Sequence, residues 1–190
     1  MKQRNPLQRE KEVKHSMKKR FLALLLAVAM VMTLAPAAFA EEDSGQTVGE
    51  GENTLTITQI GGSGGYSVNN KTITINASGP YHIVGNGTVV GGNIGFGNST
   101  EDRDITIILE NVKIDNSSNQ STDLAAMAYR YNTGNNRGAL NLTIQLKGDN
   151  LLQAGGDRAG LVWGGPEDMP STLTIEAAAG EEETATLKAY

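Results

Sequence analysis

The chain contains no cysteine, which removes disulfides, thiolate metal sites and a lipoprotein-type lipid anchor together. Of its two histidines, His15 and His82, only His82 lies beyond the N-terminal export region read below, so a histidine metal site is not expected. Long apolar runs are missing too. The longest, residues 21–34, has about 14 residues where a membrane span needs roughly 20, and no later segment approaches that length. The glycine-rich Gly61-Gly-Ser-Gly-Gly65 has no Lys-Ser/Thr after it and is not a phosphate loop. Helical periodicity is broken by 23 glycines and frequent asparagines, while Ile, Val, Thr and Leu dominate the apolar segments. Residues 122–131 alone would tolerate a short helix, and their place in the repeat described below argues for a strand.

The N-terminal run reads as an export signal. Lys18, Lys19 and Arg20 precede it, and Ala38-Phe39-Ala40 gives a small-residue cleavage pattern before Glu41 and Glu42. Met17 begins a more ordinary signal than Met1 does. With residues 1–40 as the signal peptide, 8 of the 16 Lys and Arg but only 2 of the 21 Asp and Glu leave with it. The remaining 150 residues carry 8 basic and 19 acidic groups, net −11. Basic surface is therefore scarce, and such a chain repels nucleic acid and anionic lipid while tolerating cations and neutral glycans. No stable membrane span is expected after cleavage. Residues 41–53 are acidic and poor in large apolar side chains, which predicts a flexible leader.

What the sequence does have is one phrase said four times. Lys71-Thr-Ile-Thr-Ile75, Arg103-Asp-Ile-Thr-Ile107, Asn141-Leu-Thr-Ile144 and Ser171-Thr-Leu-Thr-Ile175 alternate apolar and polar residues as half-buried strands do. Their last isoleucines are 32, 37 and 31 residues apart. A second strand and a third apolar patch follow each phrase, and the third-patch residues Ile94, Ala126 and Leu161 recur in step. Self-similarity at this period, with Gly, Asn and Asp between strands, predicts an all-β fold: a right-handed parallel β-helix of about four rungs over residues 54–190. Residues 54–70 would form an N-terminal cap or partial rung. The chain stops inside a strand-like segment, so the domain is expected to be truncated at its C-terminus. Ile73, Ile75, Ile105, Ile107, Leu142, Ile144, Leu173 and Ile175 are the expected inward positions, stacked in two columns.

The stretch Leu142-Thr-Ile-Gln-Leu-Lys-Gly-Asp-Asn-Leu-Leu-Gln-Ala-Gly-Gly156, with Ala159-Gly-Leu161 and Ser171-Thr-Leu-Thr-Ile175, resembles the repeat of the secreted clostridial-type carbohydrate-binding-domain family. The segment from Asp104 to Ser118 matches the same strand, turn, strand, Asn/Ser unit. The resemblance covers residues 70–190 and implies a pectate-lyase-like β-helix in a bacterial cell-surface or secreted protein that binds polysaccharide with calcium nearby. It departs from the family at residues 124–131, where a plainer Ala-Ile-type strand is usual.

Sugar binding uses aromatic rings against pyranose faces and amides or carboxylates for hydroxyls. Tyr129, Tyr131 and Trp163 occupy comparable places in successive repeats, which makes them a candidate surface stripe, with Asp123, Asp157 and Arg158 at its edge. Packing of Trp163 inside the coil is the competing reading. Asp102, Asp104, Asp115 and Asp149 have the oxygen ligands a Ca²⁺ ion prefers, though without EF-hand or RTX-like spacing. The function expected is a non-catalytic module holding a plant cell-wall or host glycan. The alternatives are a lyase cleaving acidic glycans by β-elimination and a solenoid adhesin or spacer.

Overall fold

The computed structural model describes residues 43–119, 124–130, 138–164 and 171–190, all within the second of the chain's two units, Glu41–Tyr190. The expected signal peptide lies outside them. Among the described residues every regular element is a strand. In chain order these are β1 (Gln46–Glu50), β2 (Asn53–Gln59), β3 (Tyr66–Asn69), β4 (Thr72–Ile75), β5 (Gly79–Asn86), β6 (Val89–Val90), β7 (Asn93–Phe96) and β8 (Arg103–Glu110). They continue with β9 (Lys113–Asp115), β10 (Met127–Arg130), β11 (Leu140–Lys147), β12 (Asp149–Gln153), β13 (Leu161–Gly164), β14 (Thr172–Ala177) and β15 (Thr186–Ala189).

Three sheets result. A six-stranded sheet has the order β1-β2-β5-β8-β11-β14, a five-stranded sheet β13-β10-β7-β4-β3 and a four-stranded sheet β15-β12-β9-β6. From β4 onward the chain visits the five-, six- and four-stranded sheets in that cyclic order four times, and each of these strands pairs parallel with the one three places later. The fold is thus all-β and mainly parallel. One apolar cluster takes residues from all three sheets, including Ile73, Ile94 and Met127, then Ile83, Ile107 and Ile144, then Val89, Ile114 and Leu152. Each fully buried aliphatic side chain of this kind contributes about 1.5–3 kcal/mol.

The turn from the six- to the four-stranded sheet places one residue in the left-handed region on every pass: Gly87 (φ 69°), Asn111 (φ 53°), Gly148 (φ 62°) and Gly180 (φ 83°). Only Gly and, less easily, Asn adopt that conformation at low cost. The turn geometry therefore explains why these residue types punctuate the repeat.

Three features differ from the sequence expectation. Lys71-Thr-Ile-Thr-Ile75 reads like the other three phrases, but β4 belongs to the five-stranded sheet while β8, β11 and β14 form the six-stranded one. Ile73 sits beside Ile94, and the neighbours of Ile105 and Ile107 are Gly79 and Tyr81. Period two tells which side of a strand is buried and not which sheet owns it. The third-patch column is Ile94, Met127 and Leu161, one residue beyond Ala126. Finally, residues 46–50 of the expected leader form β1, antiparallel to β2, with Val48 only 2% exposed. One apolar residue at an inward position suffices there, because the Asp43 carboxylate accepts the Gly45 N–H (3.1 Å) and the Gln59 N–H (3.0 Å) and ties the strand down.

The two ends of the sheets are built differently. At one end β1, β2 and β3 run antiparallel to their neighbours and bury Leu55, Ile57 and Tyr66. Tyr66 meets Tyr81 edge to face at 6.3 Å, and the Tyr81 hydroxyl lies 2.9 Å from Ala77 O and 3.1 Å from Gly65 O. At the other end β13, β14 and β15 are the last strands of their sheets among the described residues. Ile175 continues the column of Ile107 and Ile144, yet it is 44% exposed where they are 0%.

Candidate functional site

Strict alternation in β8 and β11 sends Ile105, Ile107, Leu142 and Ile144 inward and presents Asp104, Thr106, Ile108 and Glu110, then Asn141, Thr143, Gln145 and Lys147, to the outside. In-register pairing aligns the outward residues in rows across the strands: Asp104–Asn141–Thr172, Thr106–Thr143–Thr174 and Ile108–Gln145–Glu176. Hydrogen bonds link all three members of the first row and the last two of the third. Asn141 Nδ2 donates to Asp104 Oδ1 (2.9 Å), the Thr172 hydroxyl donates to Asn141 Oδ1 (2.9 Å), and Gln145 Nε2 donates to Glu176 Oε1 (2.9 Å).

A charged link closes one side of this face. Glu110 Oε2 lies 2.9 Å from His82 Nε2, and Glu110 Oε1 lies 3.1 Å from Lys147 Nζ. Burial alone would raise the Glu110 carboxyl, but hydrogen bonds and charge from Lys147 and His82 outweigh it and hold the group below its ordinary range. His82 reads from the sequence as a lone strand histidine. Its partner is 28 residues away, a proximity that only the register creates.

Two members of the expected aromatic stripe, Tyr129 and Trp163, stand in register on neighbouring strands. Their ring centres are 5.0 Å apart, and Phe96 meets Tyr129 edge to face at 6.1 Å. Tyr129 is 7% exposed and belongs to the core, and Phe96 and Trp163 pack against it. Tyr129 therefore offers no open ring to a sugar. Tyr131 and Asp123 lie outside the described residues. Asp157 and Arg158 are exposed in the turn between β12 and β13.

The four aspartates read as calcium ligands are not brought together. Asp102 Oδ1 accepts the Ala139 N–H (2.7 Å), Asp104 lies in the outer row of the six-stranded sheet, Asp115 Oδ1 accepts the Ser117 N–H (2.8 Å), and Asp149 Oδ1 accepts the Thr186 hydroxyl (2.9 Å). Asp115 and Asp149 belong to the four-stranded sheet. Among the described residues no group of three or more Asp, Glu or His side chains converges on a point that a metal ion could fill.

Arg103, at the start of β8, points inward. It is 6% exposed and donates to Ile75 O (3.3 Å) and Gly97 O (2.6 Å). Burial lowers its pKa, and its role is to close a corner between two sheets. Comparison with protein-family models, with curated proteins and with solved structures finds no match.

Proposed function

We propose that the three sheets are the faces of one right-handed parallel β-helix and that the chain is an exported, non-catalytic polysaccharide-binding module at a bacterial surface or outside the cell. The observation that carries this reading is the outer face of the six-stranded sheet, where amides, hydroxyls and carboxylates recur in register on successive strands roughly 4.8 Å apart. A glycan lying across the strands would meet a donor and an acceptor at each step. The Asn141 and Gln145 amides, already oriented by Asp104 and Glu176, are the groups best held for sugar hydroxyls. The export pattern at residues 18–40 and the repeat resemblance support the same reading. The outward acids Asp104, Glu110 and Glu176 are each engaged by a neighbour, which favours holding a ligand over transferring its protons.

The test is affinity electrophoresis of the mature chain through gels containing a panel of soluble glycans. Retention by at least one glycan is expected, and Asn141→Ala with Gln145→Ala should weaken it by about 1–3 kcal/mol with an unchanged circular dichroism spectrum. Retention by none of the panel would overturn the reading. A rise in ultraviolet absorbance on incubation with polygalacturonate would replace it with the lyase.

A further inference from the structure

The four-stranded sheet carries an outward row of a different kind. Lys113 in β9, Leu151 in β12 and Lys188 in β15 lie side by side on successive strands. They line a shallow depression of about 220 Å³ together with Asp149, Asn150 and Thr186. Four lysines follow residue 40. Lys71 donates to Val90 O (3.1 Å) and Lys147 is held by Glu110, whereas Lys113 and Lys188 form no ion pair with a described residue. In a mature chain with 19 acids and 8 bases, two unpaired ammonium groups on one row are set aside from the general charge.

The floor between them is firm. Asn150 is 2% exposed, accepts the Val112 N–H (2.9 Å) and lies within donating distance of Lys147 O, Gly148 O and Thr186 O (each 3.2 Å). Asp149, the lining carboxylate, is engaged by the Thr186 hydroxyl and leaves both lysines to a ligand. Their backbones are two strand spacings apart, roughly 10 Å, so their stems can straddle a single anionic group or converge on it. Leu151 between them supplies an apolar surface for a ring face.

From this we infer that the outer face of the four-stranded sheet is a subsite for an acidic sugar, whose carboxylate or sulfate is held between Lys113 and Lys188. The polymer is one in which acidic units are sparse. A chain charged at every unit, such as heparin or nucleic acid, would carry its other charges past Asp149 and Asp115 on the same face and against a net charge of −11. This assignment rests on the glycan-binding reading and adds the class of glycan.

The experiment compares retention of the mature chain by glucuronoxylan, alginate and heparin, and by carboxyl-reduced forms of the first two. The expected result is retention by glucuronoxylan that falls about fivefold to tenfold on carboxyl reduction. Lys113→Gln with Lys188→Gln should show the same fall on the native glycan and none on the reduced one, and Lys113→Arg with Lys188→Arg should retain most of the binding. Equal retention of native and reduced glucuronoxylan overturns the inference and leaves glycan binding standing, as does tightest retention by alginate or heparin, both of which are charged at every unit. No retention of any tested or panel glycan overturns both. Loss on heparin alone would show a sulfate-selective surface and would also overturn the sparse-charge assignment.

Discussion

At one end of the sheets, β1, β2 and β3 run against their neighbours and bury Val48, Leu55 and Ile57 to 2% exposure or less; at the other, β13, β14 and β15 run with theirs and leave Ile175 44% exposed. The same period-two pattern, Leu-Thr-Ile-Thr at residues 55–58 and Leu-Thr-Ile at 173–175, ends in opposite environments. An apolar residue on an inward position is only as buried as the next strand makes it. Stability in a stacked repeat belongs to interfaces between neighbours, so equal substitutions at the two ends should have unequal consequences.

The largest contrast should come from charge. Ile144→Asp places a carboxylate at a position of 0% exposure with strands on both sides and should cost about 3–5 kcal/mol, unfolding the middle strands. Ile175→Asp should cost less than about 1 kcal/mol. Chemical denaturation of both variants checks this, and equal losses would break the comparison.

Next comes Leu55→Ala against Leu173→Ala, with about 2–5 kcal/mol expected at the closed end and roughly 1 kcal/mol at the half-buried Leu173. A finer version uses the turns. Gly148→Ala combines a left-handed backbone with a Cβ driven into the Asn111 side chain, while Gly180→Ala meets the same backbone demand with nothing near its Cβ. Gly180→Ala should cost about 1–2 kcal/mol and Gly148→Ala more, as read by melting temperature.

A smaller effect concerns acid. Hydrogen bonding from Tyr66, followed by the Gln59 N–H, holds the Asp43 carboxyl below its ordinary 3.8, and Glu110 is held below its ordinary 4.5. Both carboxylates therefore add stability that is present above those ordinary values and is lost as pH falls through the lower folded ones. Asp43→Asn should flatten the fall in the urea midpoint below about pH 4 by removing the closed-end share. The smallest expected change is in Ile175→Lys, which should leave the unfolding free energy within about 0.5 kcal/mol of the parent while reducing concentration-dependent association through the β14 edge, measured by light scattering.

Strand existence was legible because Thr-Ile-Thr-Ile alternation states which side is buried, and the inward placement of Ile105, Ile107, Leu142 and Ile144 followed from it. The sheet owning residues 71–75 was not legible, since β4 and β8 satisfy the same pattern and only β5, with Tyr81 in the inward column, separates them. The direction of the aromatic column was open to the same reasoning. Trp163 stands two residues after Leu161 and Tyr129 two after Met127, so each shares its neighbour's face. The links Asp104–Asn141, Gln145–Glu176 and His82–Glu110 join residues 37, 31 and 28 positions apart. No local pattern announces them, because they depend on register.

Those separations also bear on how the molecule acquires its shape. The β8–β11 and β11–β14 pairings bring together residues 31 to 37 positions apart, so every parallel contact closes a long loop before it yields any burial. The β1–β2 and β3–β4 hairpins join residues as little as 3 positions apart and close at far smaller entropic cost. Folding should therefore begin at the antiparallel end and advance strand by strand toward β14, each completed layer serving as the template for the next. The closed end is in that sense a starting block as much as a lid.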